Sequence, residues 1–188
     1  LFRSQASGTI GGNLCTASPA GDSIPCLMTL NAEIELASHR GVRRLPLNEF
    51  LTGPRQTACA PDELVTAVYV PSDAETGVGG FEKLGARRYL VISIAMTAAR
   101  LSIADGRIGD AAISVGACAP VAVRLTELEA GLRGMACDMA GNFIRNSRSS
   151  IMAALSPIDD VRGTAGYRRD AAAEIVARLV ERLCGEFG

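Results

Sequence analysis

The chain has 188 residues, 48% of them apolar, and a formal net charge of −1. That length holds one ordinary domain or two small ones with a genuine core, while the near-zero charge excludes a nucleic-acid surface built on excess Lys and Arg. No apolar run approaches membrane-spanning length and no basic stretch with a following apolar run marks a signal peptide, so a cytoplasmic protein is expected.

The opening Leu1-Phe2-Arg3-Ser4 has neither capping signal nor linker character. It implies that residues completing the first unit lie upstream or on another chain. "TIGGNLCTASPAGDS" follows at residues 9–23. Its paired glycines predict a turn. Consecutive glycines also let backbone N–H groups converge on an anion with no Cβ in the way. Thr9 adds a hydroxyl and Asn13 an amide, the donors that the diphosphate of a nucleotide cofactor requires. Asp22 cannot bind phosphate, but it can accept a hydrogen bond from a ribose hydroxyl. The spacing fits neither the Rossmann fingerprint nor the P-loop, and a purely structural turn satisfies the same residues.

Asp22 or Ser23 can cap a helix running to Leu30, with Pro25 in its first turn. Glu33–Leu36 and Val42–Leu45 alternate around Ser38-His39-Arg40-Gly41, a hairpin pattern. A one-turn helix is predicted around Asn48–Leu51, and a strand over Leu64–Val70 that Pro71 stops. "PSDAETGVGG", residues 71–80, reads as a linker. Beyond it, Gly80–Gly85 is a short strand. Ile92–Ala104 and Arg107–Ala117 are long strands joined by Asp105-Gly106, a two-residue hairpin turn, although the Ala-rich part of the first also suits a helix. Helices are expected over Arg124–Leu132, Asn142–Ala154 and Asp170–Leu183, the last with an apolar stripe of Ile175, Val176, Leu179, Val180 and Leu183. Strands followed by helices indicate an α+β fold.

Six cysteines are scattered without a CxxC pair, which reads as unpaired thiols of a reducing compartment. His39, the only histidine, sits in a polar turn and receives no role. No catalytic residue and no metal ligand is assigned. Lys83 is the only lysine among abundant arginines; arginine and lysine are not equivalent at a tight site, although a lysine at a domain edge is also ordinary.

"TIGGNLCTASPAGDSIPCLMTLNAEIEL" resembles the second half of the FAD-binding domain in the flavoprotein (medium) subunits of molybdenum hydroxylases, the xanthine dehydrogenase family. The family pattern is T-I-G-G-N, then A-S-P, then Asp nine residues after the Asn, a spacing that Asn13 and Asp22 keep. "PLNEFLTGPRQTACAPDELVTAVYVP", "GFEKLGARRYLVISIA" and "GTAGYRRDAAAEIVARLV" resemble later blocks of the same subunits, in the same order. The resemblance implies the C-terminal portion of a PCMH-type FAD-binding domain over residues 1–74. A flavoprotein C-terminal domain, a small antiparallel sheet packed with helices, follows over residues 79–188.

What the resemblance implies for the site is FAD, with Thr9, Ile10, Gly11, Gly12 and Asn13 at the diphosphate, Asp22 at the adenosine part, Val65 at an apolar flavin-side contact and Lys83 near the isoalloxazine ring. It also implies electron transfer from [2Fe–2S] clusters of an iron–sulfur small subunit, through FAD, to an acceptor such as NAD+. Molybdopterin and substrate chemistry would belong to a large subunit. Two departures stand out. The family's upstream A-G-G-T phosphate loop is absent, so the N-terminal half of the subunit would have to complete the pocket. Tyr89, Leu90 and Val91 follow Arg87-Arg88 where many relatives carry an acidic residue. The rival reading is an assembly or docking piece with no competent flavin site.

Overall fold

The computed structural model describes residues 8–88 and 91–187. The expectation placed on Tyr89 and Leu90 lies outside the described residues. Helix α1 (Ile10–Thr16) leads into α2 (Ser23–Thr29). Strands β1 (Glu33–Ser38) and β2 (Gly41–Pro46) form the predicted hairpin, Glu33 opposite Pro46 and Ser38 opposite Gly41. The one-turn helix α3 (Leu47–Phe50), the short pair β3 (Leu51–Gly53) and β4 (Gln56–Thr57), and β5 (Leu64–Tyr69) complete the first part. β5 pairs with the other edge of β1, giving the order β2–β1–β5. Ile34 and Leu36 of β1 point into a core shared with Leu14, Ile24, Met28, Leu47 and Phe50, as the period of two requires.

The segment 71–80 is not wholly a linker. It holds a 3-10 turn, Ser72–Glu75, and the start of β6 (Val78–Leu84). β6 pairs antiparallel with β7 (Ala95–Ala104), and β7 with β8 (Arg107–Gly116), whose outer edge takes β9 (Val123–Arg124). Gly80 is a glycine because α7 (Ala165–Phe187) crosses it; an added Cβ would lie 2.7 Å from a methyl of Leu179. Every residue from Ala95 to Leu101 is buried. α7 packs against β6 and β7 while α2 packs against β7 and β8. A strand covered on both faces reads as continuously apolar, not alternating, and alanines let two helices approach it at once. This is why the Ala-rich stretch is a strand.

α4 (Thr126–Leu132), α5 (Cys137–Asn146) and α6 (Arg148–Ala153) finish the second core with α7. The single helix expected over Asn142–Ala154 is two, broken at Ser147, whose hydroxyl donates to the Phe143 carbonyl at 2.9 Å. α7 starts earlier than Asp170, because Thr164 Oγ1 accepts the Tyr167 N–H at 3.2 Å and serves as a cap.

Helix α2 ties the two cores together. Arg100, nearly buried on β7, donates through Nε to the Thr29 carbonyl at 3.1 Å. Arg124 donates to the Met28 carbonyl at 2.7 Å and is itself held by Glu129 at 2.7 and 2.9 Å. Both cations engage the C-terminal carbonyls of α2, where the helix leaves acceptors unpaired. Gly116 lies under Pro25, leaving no room for a Cβ.

Candidate functional site

The TIGGN segment is the start of a helix, not a turn. Thr9 is its N-cap, extended in φ and ψ, and Thr9 Oγ1 accepts the Gly12 N–H at 3.0 Å. The Asn13 N–H donates to the Thr9 carbonyl at 3.0 Å. A helix beginning at Ile10 gives the N–H groups of Ile10 and Gly11 no intrahelical acceptor. Thr9, Ile10 and Gly12 are exposed. Gly11 is half-buried, and a Cβ there would meet nothing within 4 Å. Donors of this kind, on bare backbone at a helix start, are the chemistry that a diphosphate accepts.

Asn13 links this helix to the next. Its Oδ1 accepts the Ser23 hydroxyl at 2.5 Å. The residue before Ser23 is Asp22, the N-cap position of α2, yet its carboxylate makes no capping bond. Asp22 Oδ2 instead lies 2.6 Å from Lys83 Nζ, and Asp22 Oδ1 accepts the Ser93 hydroxyl at 2.7 Å. Lys83 Nζ also donates to the Val91 carbonyl at 3.2 Å. Asn13 and Ser23 thus tie α1 to α2, and the adjacent Asp22 is hydrogen-bonded separately to Lys83 and Ser93 of the second part. Burial and the Asp22 charge push the Cys26 thiol up, which lowers its thiolate fraction.

The structure thus joins two residues to which the sequence assigns separate roles, Asp22 and Lys83. Val65 stands apart from these residues, on β5 opposite Leu36 and packed against the first core, in a strand that contacts α1. Ser93 was missed by sequence reasoning. It is 1% exposed and carries no motif. His39 lies on the exposed hairpin, its Nδ1 3.3 Å from an Asp62 carboxylate oxygen. Among the described residues no three His, Cys, Asp or Glu side chains gather as a metal site, and no helix is long and apolar enough to cross a membrane.

Backbone donors at a helix start and a carboxylate–ammonium pair between two cores are groups that a nucleotide cofactor can engage. Comparison with known proteins agrees. Residues 3–73 match the family described as FAD binding domain in molybdopterin dehydrogenase, and residues 81–183 match the CO dehydrogenase flavoprotein C-terminal domain. The chain belongs to the FAD-binding flavoprotein subunits of the molybdenum hydroxylase family.

The chain is 33% identical over 174 residues to the nicotine 6-hydroxylase medium subunit of Paenarthrobacter nicotinovorans, covering 92% of this chain and 59% of that protein. It is 31% identical over 176 residues to the carbon monoxide dehydrogenase medium chain of Afipia carboxidovorans, covering 93% and 60%. It superposes on reconstituted CO dehydrogenase from Oligotropha carboxidovorans with a TM-score of 0.85 at 31% identity, covering 96% of this chain and 62% of that one. The chain therefore spans under two thirds of these relatives.

Proposed function

We propose that the chain supplies part of the FAD site of an electron-transfer subunit in a cytoplasmic molybdenum hydroxylase complex. Residues 1–74 would form the C-terminal portion of the FAD-binding domain and residues 79–188 the flavoprotein C-terminal domain. Electrons would come from [2Fe–2S] clusters on a small partner and leave to an acceptor such as NAD+. A large partner with molybdopterin would oxidise the substrate. The observation that supports this reading best is the capped helix start at Thr9–Asn13, held by Asn13 to Ser23, the residue after Asp22.

When bound, FAD supplies a carrier that exchanges electrons singly or in pairs. This chain's residues bind and orient. The backbone at Ile10 and Gly11 and the Thr9 and Asn13 side chains would hold the diphosphate. Asp22 would accept a hydrogen bond from a cofactor hydroxyl. Val65 would offer an apolar contact. Lys83 would lie near the ring with its ammonium engaged by Asp22 and the Val91 carbonyl, acting through that pair rather than as a free cation. No acid, base or nucleophile in this chain is required.

The absent A-G-G-T loop leads us to propose that an upstream segment completes the pocket. Half a site must overcome several kcal/mol of lost freedom before any contact counts. Residues 1–188 alone should therefore stay nearly colourless in micromolar FAD, and adding the upstream segment should turn the protein yellow. Titration followed by flavin fluorescence checks both. Failure to bind FAD with the upstream segment present would overturn the reading.

A further inference from the structure

We infer that Ser93 is a positioning residue of the cofactor site: its hydroxyl fixes the Asp22 carboxylate so that the Asp22–Lys83 pair faces the ligand as a hydrogen-bond acceptor, with the ammonium held behind it. The cofactor part of this inference rests on the FAD reading above.

Three observations carry it. First, Ser93 is 1% exposed and its hydroxyl donates to Asp22 Oδ1 at 2.7 Å, a charge-assisted bond. Second, the two carboxylate oxygens are held from different sides. Lys83 takes Oδ2 and Ser93 takes Oδ1. A carboxylate gripped at one oxygen can swivel about its terminal torsion, which is soft; a second donor on the other oxygen stops that rotation. Third, the side chain of Asp22 is 46% exposed and that of Lys83 27%. Lys83 is drawn inward by the Val91 carbonyl as well. An arriving ligand meets the carboxylate first.

The chemistry of the ligand follows. A free lysine would select an anion. This pair, with its positive end engaged twice, selects an O–H or N–H donor, such as a hydroxyl of a polyol chain. Ser93 contributes orientation without charge. Removing it leaves the net charge of the site unchanged and frees the carboxylate to turn, an effect distinct from removing Lys83.

Because Lys83 is the only lysine, it can be followed by itself. The chain is treated with an N-hydroxysuccinimide ester and the Lys83 peptide is quantified by mass spectrometry against time. In Ser93→Ala the loosened pair should make Lys83 react about three- to tenfold faster, the scale of an ordinary lost hydrogen bond. Ser93→Thr, which keeps the hydroxyl, should restore the slow rate, and Asp22→Asn should give the fastest. Ser93→Cys serves if Ser93→Ala does not fold by circular dichroism. Equal Lys83 rates in folded Ser93→Ala and the unmodified chain would overturn the positioning role, and so would an unchanged rate in Asp22→Asn.

The second arm adds FAD to the chain combined with the upstream segment. Ser93→Ala should weaken FAD about tenfold, with rescue by Ser93→Thr. Faster Lys83 acylation with unchanged FAD affinity would overturn the link to the cofactor. Absence of FAD binding by the unsubstituted protein would overturn the functional reading itself, while the acylation arm would still report on Ser93.

Discussion

Asp22 and Lys83, 61 residues apart in the chain, meet at 2.6 Å across the junction of the two cores. One belongs to the segment matched by the FAD-binding family and the other to the flavoprotein C-terminal family. The pair ties the two parts together at their junction. An ion pair this accessible contributes only about 0–1 kcal/mol to folding. Asp22→Asn should therefore leave the thermal midpoint nearly unchanged. Since the carboxylate makes no capping bond, its role in α2 offers no alternative explanation for a cofactor defect. Asp22→Ala should weaken FAD roughly ten- to a hundredfold in a protein with the upstream segment, as loss of a charge-assisted bond would. Flavin fluorescence titration beside a melting curve separates the two quantities.

Gly11 and Gly12 should respond differently to substitution. Both are helical, and a Cβ at Gly11 meets nothing. Gly11→Ala should stabilise the chain alone by up to about 1 kcal/mol through helix propensity, while lowering FAD content in the completed protein, because the methyl stands where the cofactor would approach. At Gly12 a Cβ would sit 3.0 Å from Thr9 Oγ1, so Gly12→Val should disturb the cap and lose both stability and FAD. Gain of stability with full flavin occupancy in Gly11→Ala would show that the helix start is structural only.

Much of the fold is legible because local chemistry decides it. Asp105 and Gly106 both take positive φ, 51° and 69°, as a two-residue hairpin turn demands. The β1–β2 hairpin follows its alternation. The paired glycines misled in conformation because a bare helix start and a turn use the same residues; the Thr9 hydroxyl closing onto Gly12 and the Asn13 N–H on the Thr9 carbonyl mark the helix. α5 begins without a polar cap, at Ala136, so no local signal marks its start. In the candidate site, Asn13 and Asp22 are legible through the resemblance, whose nine-residue spacing they keep. Ser93, Arg100 and Arg124 are not, since each acts on a partner at least 71 residues away. Tertiary packing alone brings these together.

The six thiols should separate sharply in reactivity. All are free; Cys15 is exposed, and Cys118 and Cys184 are buried. Burial pushes Cys118 up to about 11. Burial and the neighbouring Cys137 push Cys184 up to about 12. At pH 8 both are almost wholly thiol, and the thiolate is the nucleophile. Timed iodoacetamide labelling with mass spectrometry should modify Cys15 first, and Cys118 and Cys184 only under denaturing conditions. Early labelling of Cys184 would show that α5 and α7 separate readily.

Asp160 holds the loop before α7 to the second sheet, and acid should release it. Its Oδ1 accepts from Arg168, 2.5 Å away, and from the Arg162 N–H at 2.7 Å. Arg168 in turn donates to the carbonyls of Ile94 and Ala117, at the end of the segment that carries Ser93. The Arg162 N–H, then the Arg168 and Arg162 guanidinium groups, hold the Asp160 carboxyl down from 3.8 to about 2. A carboxylate depressed in the folded state stabilises it above the unfolded value, and that contribution fades as pH falls through the folded one. The window is therefore about pH 4 to 2. The thermal midpoint should drop across it, and Asp160→Asn should start lower and show a shallower decline. The neutral amide leaves Arg168 buried without its counter-charge, the costly half of a broken pair. Melting curves from pH 6 to pH 2 on both proteins test this; parallel declines would place the acid-sensitive contact elsewhere, with Glu63, also held near 2 by Arg43, the next group to substitute.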